Sequence, residues 1–346
     1  MSRGKLRFAV LGVGRIGKVH IANLATRIPD VEVLAIADVS AGEAAAVACR
    51  FGVPQVFQDY KQLLKSVEVD AVVVCTPTNT HHDIIRDAVS AGKHVFCEKP
   101  VDLTLERIQR ILQHVERSGV QLMVGFNRRF DPNFQKLHEI VKAGRIGTPE
   151  IVRITSRDPA PPPEQYLRAA GGLFLDMTIH DFDMARYLAG SDVVEVYAHA
   201  TVLVDPVFRA VGDWDTAAVI LRFENGAVGT IDNSRRAVYG YDQRAEVFGS
   251  AGMAAIGNNA PDNHVFFDRS GGHSSPPLDF FMERYTESYL REMQAFVDAV
   301  RDGKPVPVNG TDGLVAVAIG LTAAKSAREN RPVPVSEIYA QTAATS

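Results

Sequence analysis

A chain of 346 residues, 46% apolar and 23% charged, has the composition of an ordinary globular protein and the length of roughly two domains. Its formal charge of −4 gives no electrostatic reason to expect nucleic acid or an anionic membrane as a partner, and no run approaches the ~18 apolar residues of a membrane span. Cys49, Cys75 and Cys97 are odd in number and scattered, which suits reduced buried thiols better than disulfides or a metal site.

Met1-Ser-Arg-Gly-Lys-Leu6 runs straight into a short strand with no apolar leader core, so the expected location is the cytoplasm and the expected partner a small molecule. Leu6 to Leu11 reads as that strand. It ends in Gly12-Val-Gly14-Arg15-Ile16-Gly17, after which Lys18 to Ala25 continues at helical spacing. The order strand, glycine turn, helix suits a dinucleotide. Gly12 makes the tight turn, Gly14 lets the backbone around Arg15 and Ile16 approach a pyrophosphate, and Gly17 lets the helix pack closely on its strand. A second strand, Val31 to Ala37, stops at Asp38, about 20 residues beyond the glycines, where an acid is expected to accept from the adenosine ribose hydroxyls. A carboxylate there repels a 2′-phosphate and favours NAD over NADP, although Lys5 and Arg15 leave some phosphate affinity open.

The run Val69 to Cys75 ends at Thr76-Pro77-Thr-Asn79-Thr80-His81, followed by a helix from His82 to Ala91. Residues at the carboxyl ends of parallel strands face the ligand crevice, so Thr76, Pro77, Asn79 and His81 are candidate cofactor contacts. Thr80 and His81 read equally well as a helix cap and a solvated first-turn residue. The strand His94 to Cys97 leads to Glu98-Lys99-Pro100, which places a lysine at another strand end. A helix from Leu105 to Arg117 and a strand from Val120 to Gly125 complete a β-α repeat and a doubly wound parallel sheet. Residues 1–125 are thus expected to form a Rossmann cofactor domain, and 126–346 an α+β substrate and oligomerisation domain whose C-terminal helices cover both.

In the second half the regular alternation stops. A helix (Pro132 to Ala143) and a strand (Ile151 to Ser156) precede a proline-rich loop, Pro159 to Pro163. Then comes Gly171-Gly-Leu-Phe-Leu-Asp176-Met-Thr-Ile-His180-Asp-Phe-Asp183. At helical spacing Asp176, His180 and Asp183 fall at i, i+4 and i+7, on one face of about two turns, where a carboxylate can orient an imidazole as a general base. Alternating runs Val193 to Val204, Asp215 to Phe223, Ala227 to Asn233 and Arg244 to Gly249 predict a large open, mostly antiparallel sheet, with a hairpin at Glu224-Asn-Gly226. Helices are expected over Tyr289 to Arg301 and Gly310 to Asn330.

Gly12-x-Gly14-x-x-Gly17, Glu98-Lys99-Pro100 and Gly171-Gly-x-x-x-Asp176-x-x-x-His180-Asp-x-Asp183, in this order, resemble the glucose-fructose oxidoreductase, inositol dehydrogenase and MocA family over essentially the whole chain. Gly125-Phe-Asn127-Arg128-Arg-Phe-Asp and Ile231 to Arg244 look most like inositol 2-dehydrogenases. Arg157-Asp158 followed by prolines departs from that pattern. The resemblance implies an NAD-dependent oxidation of a ring hydroxyl of myo-inositol by a homotetramer, assembled through the C-terminal sheet. It implies Lys99, Asp176 and His180 as the catalytic group, and Arg128, Asp158, Asp183 and Tyr239, with the catalytic three, as substrate contacts. Another cyclitol such as scyllo-inositol, or a pyranose, is the alternative substrate, and a non-catalytic NAD-binding regulator the alternative from another class. No metal is implied.

Overall fold

The computed structural model describes residues 4–345, and the chain divides into two compact units. One comprises the chain up to Phe130 together with Glu287–Val317; the other comprises Asp131–Thr286 and the chain from Ala318 onward.

The first unit alternates β1 (Leu6–Leu11), α1 (Arg15–Thr26), β2 (Val31–Ala37), α2 (Ala41–Phe51), β3 (Gln55–Phe57), α3 (Tyr60–Ser66), β4 (Ala71–Val74), α4 (Thr78–Ser90), β5 (His94–Glu98), α5 (Leu105–Ser118) and β6 (Leu122–Gly125). The six strands pair in parallel in the order β3-β2-β1-β4-β5-β6. β1 and β4 are buried almost throughout, as expected of parallel strands covered on both faces. The order reverses between β1 and β4, the switch point at which such sheets bind ligands beyond their carboxyl ends. The α2-β3-α3 segment extends the alternation beyond the strands read from the sequence. It is short and amphipathic, and Gln55–Phe57 is too brief to carry a period.

The second unit opens with α6 (Pro132–Lys142), β7 (Pro149–Arg157), α7 (Glu164–Leu167), α8 (Leu173–Asp176) and α9 (Ile179–Ala189). It continues with β8 (Val193–Thr201), α10 (Pro206–Ala210), β9 (Thr216–Phe223), β10 (Val228–Ser234), β11 (Asp242–Gly249), β12 (Gly252–Ile256), the hairpin β13 (Val265–Asp268) and β14 (Gly271–Ser274), and α11 (Phe281–Arg284). α12 (Thr286–Asp302) then lies almost wholly in the first unit. The chain ends with α13 (Gly310–Glu329), β15 (Val333–Pro334) and α14 (Val335–Thr345).

A seven-stranded sheet runs β12-β11-β7-β10-β9-β8-β15. All neighbours are antiparallel except β7 and β10, which pair in parallel. The open, mostly antiparallel sheet expected from alternation is present, and β9 shows the reason in its strict alternation of buried and exposed residues. The expected hairpin joins β9 to β10: Gly226 has φ 89°, and the Asn225 side chain accepts from the Ala227 N–H at 3.1 Å.

Candidate active site

In the first unit the glycine turn has the geometry its spacing implies. Gly12 has φ 94°, and a Cβ there would lie 2.6 Å from the Cys75 carbonyl oxygen. One on Gly17 would lie 2.0 Å from the Gly12 oxygen. A Cβ on Gly14 would meet nothing within 4 Å, so the backbone of Gly14, Arg15 and Ile16 at the N-terminus of α1 is open to a ligand. The Asp38 carboxylate lies beside this turn, accepting from the Val13 N–H and the Ser40 N–H at 2.8 Å each. It is therefore fixed at the end of β2 with lone pairs left for a diol.

Beyond β4, the helix α4 starts at Thr78, four residues earlier than its apolar spacing indicates, with Pro77 as the capping residue. Thr80 is not the cap. Its hydroxyl donates to the Pro77 oxygen and pairs with the Thr76 hydroxyl, both at 2.7 Å. His81 is buried and not a solvated residue: its ring nitrogens meet the Pro100 and Thr76 carbonyl oxygens at 2.9 and 2.8 Å. Burial lowers the His81 pKa against the pull of those two carbonyls, and a neutral imidazole donates to one of them only. His81 thus ties the Thr76 turn to the Lys99-Pro100 segment, while Pro77 and Asn79 remain exposed.

Lys99 follows the end of β5, half-buried, and its peptide bond to Pro100 is cis. Glu98 turns inward, its carboxylate 2.7 Å from His20 Nε2. Arg128 is buried in a short 3-10 turn, Asn127–Phe130. Of the thiols expected to be buried, Cys49 is exposed, Cys75 half-buried and Cys97 buried. Desolvation pushes the Cys75 and Cys97 thiols well up, which favours their neutral form.

In the second unit the Asp/His segment departs from a continuous helix. Asp176 ends α8 and His180 lies in the first turn of α9, with Met177 and Thr178 between the two helices. The Thr178 N–H donates five residues back to Leu173, and the His180 N–H donates three residues back to Met177. The i, i+4 relation inferred for Asp176 and His180 therefore does not hold in its ideal form. The cause is local. Thr178 is buried and its hydroxyl donates to Asn233 Oδ1 at 2.7 Å, while Asn233 donates to Asp181 at 2.8 Å, so side-chain bonds to β10 hold the break open. Gly171 and Gly172 enter the segment at φ 86° and 84°, and a side chain on Gly172 would press on Asp213.

Asp176 is nearly fully buried. It accepts from the Tyr166 hydroxyl on one oxygen and from Arg235 on the other, both at 2.7 Å. The other arm of Arg235 reaches Asp158 at 2.9 Å. Burial opposes the Arg235 charge, but Asp176 and Asp158 outweigh it and raise the guanidinium pKa further. Asp213 approaches the same group through its bond from the Leu173 N–H, and burial raises its pKa. His180 is half-buried and Asp183 buried. The structure thus joins Asp158 and Asp176 through Arg235. It directs the Tyr239 hydroxyl elsewhere, to Asp242 at 2.6 Å and Arg157 at 3.0 Å.

Sequence reading missed Arg235, Tyr166, Asn233 and Asp213. The signal that could have found Arg235 is a buried-strand context, since an arginine directly after β10 beside two predicted acids needs a charged partner.

A six-stranded switch-point sheet with an open glycine turn defines a dinucleotide-binding protein, and the second unit adds a cluster of acids joined through Arg235. The comparisons agree. Residues 6–126 match the NAD-binding Rossmann fold of the GFO/IDH/MocA oxidoreductase family, and residues 134–255 match the GFO/IDH/MocA C-terminal domain. The myo-inositol 2-dehydrogenase of Thermotoga maritima is 49% identical, covering 96% of this chain and 99% of that relative. The inositol 2-dehydrogenase of Rhizobium meliloti is 45% identical over 95% of this chain and 99% of its own. The crystal structure of scyllo-inositol dehydrogenase from Lactobacillus casei with bound NAD(H) and scyllo-inositol superposes at a TM-score of 0.90 and 30% identity, covering 96% of this chain and 99% of that one. The chain belongs to the GFO/IDH/MocA family. Its glycine turn and Asp38 fit NAD, and no helix among the described residues is long and apolar enough to cross a membrane.

Proposed function

We propose that the chain is an NAD-dependent cyclitol dehydrogenase that oxidises the C2 hydroxyl of myo-inositol to the ketone. The observation that carries this reading is likeness along nearly the full length to a protein named for that reaction, at 49% identity. NAD, when bound, accepts the hydride. The chain's own groups are assigned the rest. The backbone at Gly12, Gly14 and Gly17 and the Asp38 carboxylate hold the dinucleotide, and Thr76, Pro77, Asn79 and Glu98 shape the strand ends around it.

His180 takes the proton of the reacting hydroxyl. Asp176, anchored by Tyr166 and Arg235, is the carboxylate assigned to orient it. Lys99 donates a hydrogen bond to the reacting oxygen and stabilises developing alkoxide. Arg128, Asp158 and Asp183 are assigned to the polyol hydroxyls; Tyr239 joins them only if its hydroxyl leaves Asp242 and Arg157 when substrate binds. On this reading the first unit is the cofactor half, the second the substrate half, and the setting cytoplasmic inositol catabolism.

A second substrate, scyllo-inositol, is favoured by the likeness to the Lactobacillus casei enzyme at TM-score 0.90. A homotetramer through the C-terminal sheet is supported by the exposed apolar Ile220, Val228 and Phe248 on its strands, and light scattering after size exclusion tests it.

The test of the activity is a panel of cyclitols and aldoses assayed for NADH and NADPH formation. Turnover of myo-inositol with NAD is expected; activity on aldoses alone would overturn the proposal. His180→Ala is expected to lose about 10²- to 10⁴-fold in turnover while still binding NAD. Lys99→Met is expected to depress turnover more than cofactor affinity. Near-normal turnover of either variant removes that residue from the mechanism.

A further inference from the structure

Within the first unit Glu98, the chain neighbour of Lys99, belongs to a group of ionisable side chains to which the proposed chemistry gives no proton or hydride step. His20 on α1 and Glu292 on α12 are fully buried, and one polar atom each of His20, Glu98 and Glu292 lie within 4.8 Å of one another. His20 is set by its ring contacts with Phe96 and Tyr289, at centroid distances of 5.0 and 5.9 Å, and by its bond to Glu98. The other Glu98 oxygen stands 3.0 Å from the position of a Cβ on Gly125, so β6 closes that side without a side chain. Neither carboxyl oxygen of Glu292 has a hydrogen-bond partner among the described residues.

Two ionised carboxylates so close in an apolar setting repel each other and lack water to screen them. Burial first, and then the charge of Glu98, push the Glu292 carboxyl well above its usual range. The titratable groups close to it among the described residues are His20 from α1, Glu98 at the end of β5 and Cys75 beyond β4. No lysine or arginine is among them. A protonated Glu292 becomes a donor, and a rotation of its carboxyl toward Glu98 gives that carboxylate a second donor beside His20.

We propose that Glu292 is a neutral, proton-bearing positioning residue that, together with His20, holds Glu98 inside the first unit and so fixes the strand end presenting Lys99. The proposal rests on the role assigned to Lys99 above. Lys99 follows Glu98 directly where β5 ends, so an inward anchor on Glu98 fixes the backbone from which Lys99 departs. A displacement of the order of 1 Å at a catalytic group is enough to cost turnover heavily.

The test compares Glu292→Gln with Glu292→Ala in the full chain, using myo-inositol and NAD. Glutamine copies the neutral acid in shape and as a donor. It is expected to keep kcat within about threefold, whereas alanine is expected to lose 10- to 100-fold in kcat with little change in KM for NAD. Infrared difference spectra of the resting protein, wild type minus Glu292→Gln, are expected to contain the carbonyl stretch of a protonated carboxylic acid at neutral pH. A carboxylate signature instead, or a glutamine variant as slow as the alanine one, overturns the proposal. So does a divalent ion present at one per chain in the purified protein and lost in Glu292→Gln, because these three side chains would then be a metal site. If Lys99→Met keeps normal turnover, the role of Lys99 fails, while the infrared signal still reports the proton on Glu292.

Discussion

Arg235 is the residue on which the second unit's acid cluster depends. It is buried and bridges Asp176 and Asp158, so its removal leaves two carboxylates in a poorly solvated place with Asp213 close by. Breaking a buried ion pair by deleting one partner costs about 3–5 kcal/mol. Arg235→Met is therefore expected to lose stability of that order in urea unfolding, and to lose turnover because Asp176 is no longer held. A loss below about 1 kcal/mol, the scale of an exposed pair, would show that the bridge is solvated. Single residues differed in how readable they were. Gly12, Gly17 and Asp38 were legible because a local turn demands them at fixed spacing. Arg235 and Tyr166 were not, because their role comes from partners 59 and 10 positions away that only folding brings into reach.

Among the elements, the break between α8 and α9 shows what periodicity cannot see. Spacing alone places Asp176, His180 and Asp183 on one continuous face, yet buried Thr178 donates to Asn233 and Asn233 to Asp181, side-chain bonds that accompany an interruption of the helix just before His180. The strands of the second unit were legible because one face of their sheet is wet and the residues alternate. The parallel pairing of β7 with β10 was not, since alternation carries no information on direction. Thr178→Val keeps the volume and removes the hydroxyl, leaving Asn233 Oδ1 buried without that donor. A cost of about 1–3 kcal/mol is expected. A fall in turnover at unchanged NAD affinity should accompany it, measured by initial rates and by cofactor titration. If turnover stays normal while stability falls, the break serves folding and does not place His180.

Over the whole molecule, the two units offer separate readouts. The single tryptophan, Trp214, lies in the second unit, packed on Phe174 at 5.6 Å, so its fluorescence follows that unit. Beside it, Asp215 is fully buried and accepts from the N–H groups of Leu203, Val204 and Asp205 and from the Thr216 hydroxyl. Burial pulls the Asp215 carboxyl upward, but these donors outweigh it and hold it below the ordinary aspartate value. In the window between the two values the unfolded chain binds the proton that the folded chain refuses, so stability rises with pH there. The contribution is complete above the ordinary value, about 4, and is lost as pH falls through the lower folded one. Asp215→Asn removes this linkage. The variant is expected to be less stable than wild type at neutral pH, in urea titrations followed by Trp214 fluorescence, by an amount that stays constant down to about pH 5 and narrows below about pH 4. A difference that does not change with pH would mean that the substitution acts through packing, and that the acid sensitivity of the second unit lies with other carboxylates such as Asp242, which Arg244, Tyr239 and Asn258 hold low against the opposing effect of burial.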